Sequence, residues 1–70
     1  MDESLVIINQ RQYRLPDDRI GTARVCELAN MPYASRVMWR RQGGMWRALK
    51  TGKTVKAETG LIFRVNLDSH

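Results

Sequence analysis

Arg36-Val37-Met38-Trp39-Arg40-Arg41-Gln42-Gly43-Gly44-Met45-Trp46-Arg47-Ala48-Leu49 is the stretch on which the fold turns, because it can be read at two periods. At the helical period Met38, Arg41, Gln42 and Met45 fall on one face. A helix there would be the second helix of a winged-helix protein, the one that enters the major groove. At the strand period Val37 and Trp39 point one way and Arg36, Met38 and Arg40 the other. Gly43-Gly44 decides between them. Two glycines inside a helix would cost about 2 kcal/mol against alanine, whereas between two strands they make a turn. The reading is strand, turn, strand, with Met45 to Leu49 returning.

Outward from there, the N-terminal side reads as a hairpin. Leu5-Val6-Ile7-Ile8 is short and mostly β-branched, Asn9-Gln10-Arg11 is a polar turn, and Gln12-Tyr13-Arg14-Leu15 alternates. Val6, Ile8, Tyr13 and Leu15 share one face. Pro16 ends the second strand, and Asp17-Asp18-Arg19-Ile20-Gly21 reads as a loop. Thr22 has the chemistry of a helix N-cap. The helix is predicted over Ala23 to Asn30, with Val25, Leu28 and Ala29 as its buried stripe and Cys26 beside it. Pro32 blocks continuation. On the C-terminal side, Lys50 to Lys53 and Glu58 to Gly60 are turns, and Thr54 to Lys56 is too short to assign. Leu61 to Val65 is the last strand. Residues 1–66 are expected to form one domain and 67–70 a flexible tail.

One helix must lay its stripe on a sheet, so the class is α+β, a mixed sheet of four to five strands covering one helix. The first and last strands would lie side by side in parallel at the centre, the β-grasp arrangement. Val6, Ile8, Leu15, Val25, Leu28, Ala29, Val37, Phe63 and Val65 form the expected core.

With 70 residues there is room for one domain. Its longest apolar run, Leu5 to Ile8, is far short of the about 20 residues of a membrane helix. Met1-Asp2-Glu3 does not open like an export signal. A single cysteine, Cys26, and a single histidine, His70, exclude a disulfide framework and the usual zinc sites, and suit a reducing cytoplasm. No histidine stands within the domain to serve a nucleophile, and no glycine pattern makes a phosphate loop. Composition therefore points away from an enzyme, with no cofactor and no metal.

The net charge is +5. Between Glu27 and Glu58 the chain carries no acid and seven of its twelve basic residues: Arg36, Arg40, Arg41, Arg47, Lys50, Lys53 and Lys56. Such asymmetry suits an acidic partner, protein or nucleic acid. The plainer alternative is a solvated face that keeps a small domain soluble.

In order and spacing, the chain resembles bacterial ubiquitin-like proteins of the multi-ubiquitin type, over residues 5 to 65. The matching stretches are Ile8-Asn9, Tyr13-Arg14-Leu15-Pro16, Ile20-Gly21-Thr22-Ala23 and Glu27-Leu28-Ala29-Asn30-Met31-Pro32. Val37-Met38-Trp39 before Gly43-Gly44, and Gly60-Leu61-Ile62-Phe63-Arg64-Val65, complete them. The resemblance implies a ubiquitin-like β-grasp domain and a protein modifier. Its C-terminus would be activated and conjugated to targets by activating-like and conjugating-like enzymes and released by a deconjugating protease. Asp68, Ser69 and His70 would form the conjugation tail. Such proteins often carry tandem domains where this chain has one, and no glycine follows Gly60, where ubiquitin ends in a diglycine.

Two further functions stay open. One is a non-covalent protein-binding or self-assembling module, using the sheet face away from the helix. Met38, Ile62 and Arg64 are expected to be solvent-exposed there, beside Arg36 and Arg40, with Trp46 and Met45 as additional anchors. The other is nucleic-acid binding through Arg36 to Lys56 with Trp39 or Trp46 stacking, disfavoured because no helix is left for a groove.

Overall fold

The computed structural model describes residues 3–33 and 35–67. Among these, seven strands and one helix follow one another: β1 (Ser4–Ile8), β2 (Arg11–Leu15), β3 (Arg19–Gly21), α1 (Thr22–Ala29), β4 (Arg36–Arg40), β5 (Arg47–Ala48), β6 (Thr54–Lys56) and β7 (Ile62–Asn66). Five of them form a mixed sheet in the order β2-β1-β7-β4-β5, and β3 pairs with β6 in a separate two-stranded sheet. The first and last strands are the parallel pair; the other pairings are antiparallel. Arg36–Arg40 is a strand, so the helical reading of this stretch falls, and Gly43, at φ +79°, sits in a turn that L side chains rarely enter.

The β1–β2 hairpin closes on two residues, Asn9 and Gln10, both at positive φ (50° and 72°). That is the backbone hand that follows the strands' own twist, and asparagine tolerates it well. Asn9 also acts across the sheet. Its Oδ1 accepts from the Val65 backbone N–H at 2.8 Å, and its Nδ2 donates to the Val65 carbonyl at 3.2 Å. The side-chain amide thus extends the parallel β1–β7 ladder beyond the strand end. That ladder is otherwise short: the Ile7 N–H donates to Leu61 O, the Asn9 N–H to Phe63 O, and the Gly60 N–H to Leu5 O.

The core lies between the sheet and α1. Val6, Ile8, Leu15, Val37, Phe63 and Val65 are buried, as their alternation predicts. α1 starts one residue earlier than expected. Its N-cap is Gly21, with no side-chain cap bond, and Thr22 is a buried helical residue rather than the cap. The physical reason is that Gly21 is also the last residue of β3, so the chain passes from strand to helix without a loop. A Cβ at Gly21 would meet the Lys53 carbonyl and the Thr54 methyl at 3.3 Å. The helix ends one residue early as well, because Asn30 takes the left-handed C-cap conformation, its N–H turned back onto the carbonyls of Cys26 and Glu27.

The buried stripe shifts accordingly to Thr22, Val25 and Cys26, while Leu28 and Ala29 are only half-buried. The Leu28 carbonyl is instead satisfied by the Tyr13 hydroxyl, which donates to it at 3.1 Å. Asp17 to Gly21 is not simply a loop, for Arg19–Gly21 pairs with Thr54–Lys56, and Ile20 lies opposite Val55. These two, with Leu49, Leu61 and Cys26, are buried residues absent from the expected core. The returning strand is cut to Arg47–Ala48, since Met45 and Trp46 leave the ladder at the turn.

Ile20 is fully buried and Leu28 is not, so their order of cost is fixed. Ile20→Ala should lose about 2–5 kcal/mol and Leu28→Ala clearly less, read from urea midpoints of the two variants. Asn9→Ala removes two hydrogen bonds and the residue suited to positive φ. It should lose about 1–3 kcal/mol and raise amide exchange at Val65 first.

Candidate functional site: the outer face of the sheet

Strand alternation sends one set of side chains away from α1. From β1 this set includes Leu5 and Ile7, from β4 Arg36, Met38 and Arg40, and from β7 Ile62, Arg64 and Asn66. Register brings them together: Ile62 lies between Ile7 and Arg40, and Met38 between Arg64 and Ala48. The expected residues therefore do share one surface, but Met38 and Ile62 are half-buried rather than fully exposed. Both sit on interior strands, where neighbours on each side shield the apolar stems. Arg64 is exposed as expected, and Arg40 is half-buried.

Trp46 closes this face at one side. It is 38% exposed, and the guanidinium carbons of Arg40 and Arg64 lie 5.2 Å and 5.1 Å from its ring centroid. Both are cation–π distances, worth about 0.5–1 kcal/mol each at an exposed site. Beside the cluster is a hollow lined by Ile7, Ile62, Asn9, Gln10 and Asn66 together with the two arginines and the indole. Met45, the residue before Trp46, is 84% exposed at the turn. In the sequence Trp46 reads as an anchor beside Met45. That it reaches both arginines depends on how the Gln42 to Trp46 turn folds back.

The charges divide sharply. Arg41 pairs with Glu58 and lies over the Trp39 ring, and Arg24 pairs with Asp17 and Glu27. Arg36, Arg40 and Arg64 have no carboxylate partner among the described residues, and the Arg40 Nε is buried without a hydrogen-bond partner. The basic run seen in the sequence is also split in space, since Lys56 lies on the two-stranded sheet.

No group of three His, Cys, Asp or Glu residues that could hold a metal occurs among the described residues, nor does a helix long and apolar enough to cross a membrane. Cys26 is buried against the core, its Sγ 3.8 Å from the Tyr33 carbonyl, and burial pushes its thiol pKa up. The expected conjugation tail, Asp68, Ser69 and His70, lies outside the described residues. Compared with family models, curated proteins and solved structures, the chain matches none.

A thiol that is both buried and held protonated should react slowly. In the folded protein Cys26 should resist a thiol-exchange reagent at neutral pH and react promptly once urea unfolds the chain, as absorbance of the released thiolate would record. Equal rates in both states would place Cys26 at the surface.

Proposed function

We propose that this chain is a ubiquitin-like β-grasp protein of the modifier class, recognised by protein partners through the outer face of its sheet. The strand order β2-β1-β7-β4-β5, with the helix following the first hairpin and the first and last strands parallel, supports the β-grasp reading. The observation that carries the docking role is the outer face itself. On it the apolar side chains of Ile7, Met38 and Ile62 alternate with Arg36, Arg40 and Arg64, and a tryptophan stands at its side. Methionine, arginine and a tryptophan anchor beside aliphatic side chains are the composition enriched at protein–protein contact surfaces.

The modifier role rests on the family resemblance. Activation would join the terminal carboxylate, wherever processing leaves the mature end, to the α-phosphate of ATP with release of pyrophosphate, and an acceptor thiol or hydroxyl would then displace AMP to form the thioester or ester. Activating-like and conjugating-like enzymes and a deconjugating protease would be the partners, and the side chains of Asp68, Ser69 and His70 would contribute recognition only. A second reading, a non-covalent binding or self-assembling module, is favoured by the partly exposed apolar side chains, Met38 and Ile62, that β4 and β7 present on the outer face. Both readings use the same face.

Incubation with the activating enzyme and ATP, followed by mass spectrometry, separates them. An adduct through the C-terminus supports the modifier, and stable oligomers of an unmodified chain support assembly. Ile62→Asp tests the face in either case. Ile62 is half-buried and outside the core, so the variant should stay folded, and partner affinity or self-association should fall at least about tenfold. Sedimentation and binding curves identical to those of the unaltered chain would overturn the docking face.

A further inference from the structure

Arg40, Arg64 and Trp46 form a cluster that the fold leaves electrostatically incomplete. Two guanidinium groups share one indole, 5.2 Å and 5.1 Å from its centroid, and among the described residues neither has a carboxylate partner. The indole's π face attracts both cations but carries no net charge to offset their mutual repulsion. Arg40 adds a sharper deficit. Its Nε is shut off from solvent and has no acceptor among the described residues, although a buried donor ordinarily finds one. Among the described residues, two arginines, Arg24 and Arg41, do find acids.

We propose that this cluster takes the carboxylate of an Asp or Glu in an acidic peptide segment of the partner protein. A neighbouring apolar side chain of that segment would settle in the hollow beside Ile7 and Ile62. This rests on the outer face being the docking face and names the chemistry that it reads. A carboxylate meets the planar fork of a guanidinium with two acceptor oxygens, giving the short charge-assisted bonds for which arginine is suited. It would also place one negative charge near two unpaired positive ones. The polar side chains of Gln10 and Asn66 border the hollow and are available to the segment's backbone, whereas the Asn9 amide is already committed to Val65.

A nucleic-acid strand fits the surface less well. Phosphate binding calls for a track of cations, and here Lys56 lies on the other sheet while Arg41 is held by Glu58. Base stacking calls for an open ring face, and Trp46 already has two guanidinium groups against it.

The test is an NMR titration of the isotope-labelled full chain with a short peptide whose core is Glu-Glu-Leu-Glu, and with its counterpart in which glutamine replaces each glutamate. Oligo-dT is run in parallel. The acidic peptide should move the Arg40 Nε–H and Trp46 indole N–H signals, with Ile62 and Arg64, and the glutamine peptide should bind about tenfold or more weakly. Arg64→Gln alters only an exposed side chain, so it should remain folded and weaken the acidic peptide to a similar degree, and Arg40→Gln should do so too. Equal binding of the two peptides, shifts confined to another surface, or tighter binding of oligo-dT would each overturn the proposal. If Ile62→Asp abolishes partner binding while the acidic peptide does not bind, the docking face stands and the acidic partner falls. If Ile62→Asp has no effect as well, both fall.

Discussion

The paired hydrogen bonds between the Asn9 side chain and the backbone of Val65 hold together the two ends of the chain that make up the middle of the sheet. A parallel pairing has no hairpin to enforce it, and strands so far apart in sequence must meet against a large loop-closure cost. Here the paired register covers only Ile7 with Ile62 and Ile8 with Phe63, and the amide carries it two residues further along β7. Because β7 is also the strand on which β4 and then β5 are laid, an error in that register would pass to the whole far half of the sheet. Phe63 would leave the core and Ile62 would enter it.

That same register sets the outer face. With Ile62 opposite both Ile7 and Arg40, an apolar strip runs across the strands and meets an arginine at its end. The Gln42 to Trp46 turn then brings the indole against Arg40 and Arg64. None of these side chains is needed for the core, which lies on the opposite side and is filled by Val6, Ile8, Val37, Leu61, Phe63 and Val65. A surface assembled at the centre of a rigid sheet yet free of packing duties can be specialised for recognition without loss of the fold.

Charge follows the same separation. The acids of the described chain that meet arginines do so at the helix, where Asp17 and Glu27 hold Arg24, or at the sheet's side, where Glu58 holds Arg41. Among the described residues, Arg36, Arg40 and Arg64 on the outer face have no carboxylate partner. Three positive charges of a chain whose net charge is +5 therefore gather on this one surface.

Periodicity and turn chemistry in the sequence were enough to determine the hairpin, the helix, the strand at Arg36 to Arg40 and the last strand, together with most of the core. Alternation over four or five residues, glycine pairs and prolines are local signals, and they act through local sterics. The two-stranded sheet was out of reach. Three residues such as Arg19-Ile20-Gly21 carry no measurable period, and they become a strand only because Thr54 to Lys56 arrives beside them. The helix boundaries shifted for a related reason: Thr22 has cap chemistry, but Gly21 is already fixed by β3, so the helix begins there and its buried stripe turns toward Thr22 and Cys26. The arginines and Trp46 were visible in the sequence as residues, and the face of each strand residue followed from alternation. Their convergence on a single indole, with one Nε buried and unpartnered, depends on the register between β4 and β7 and on the path of a turn, and only the tertiary structure sets those.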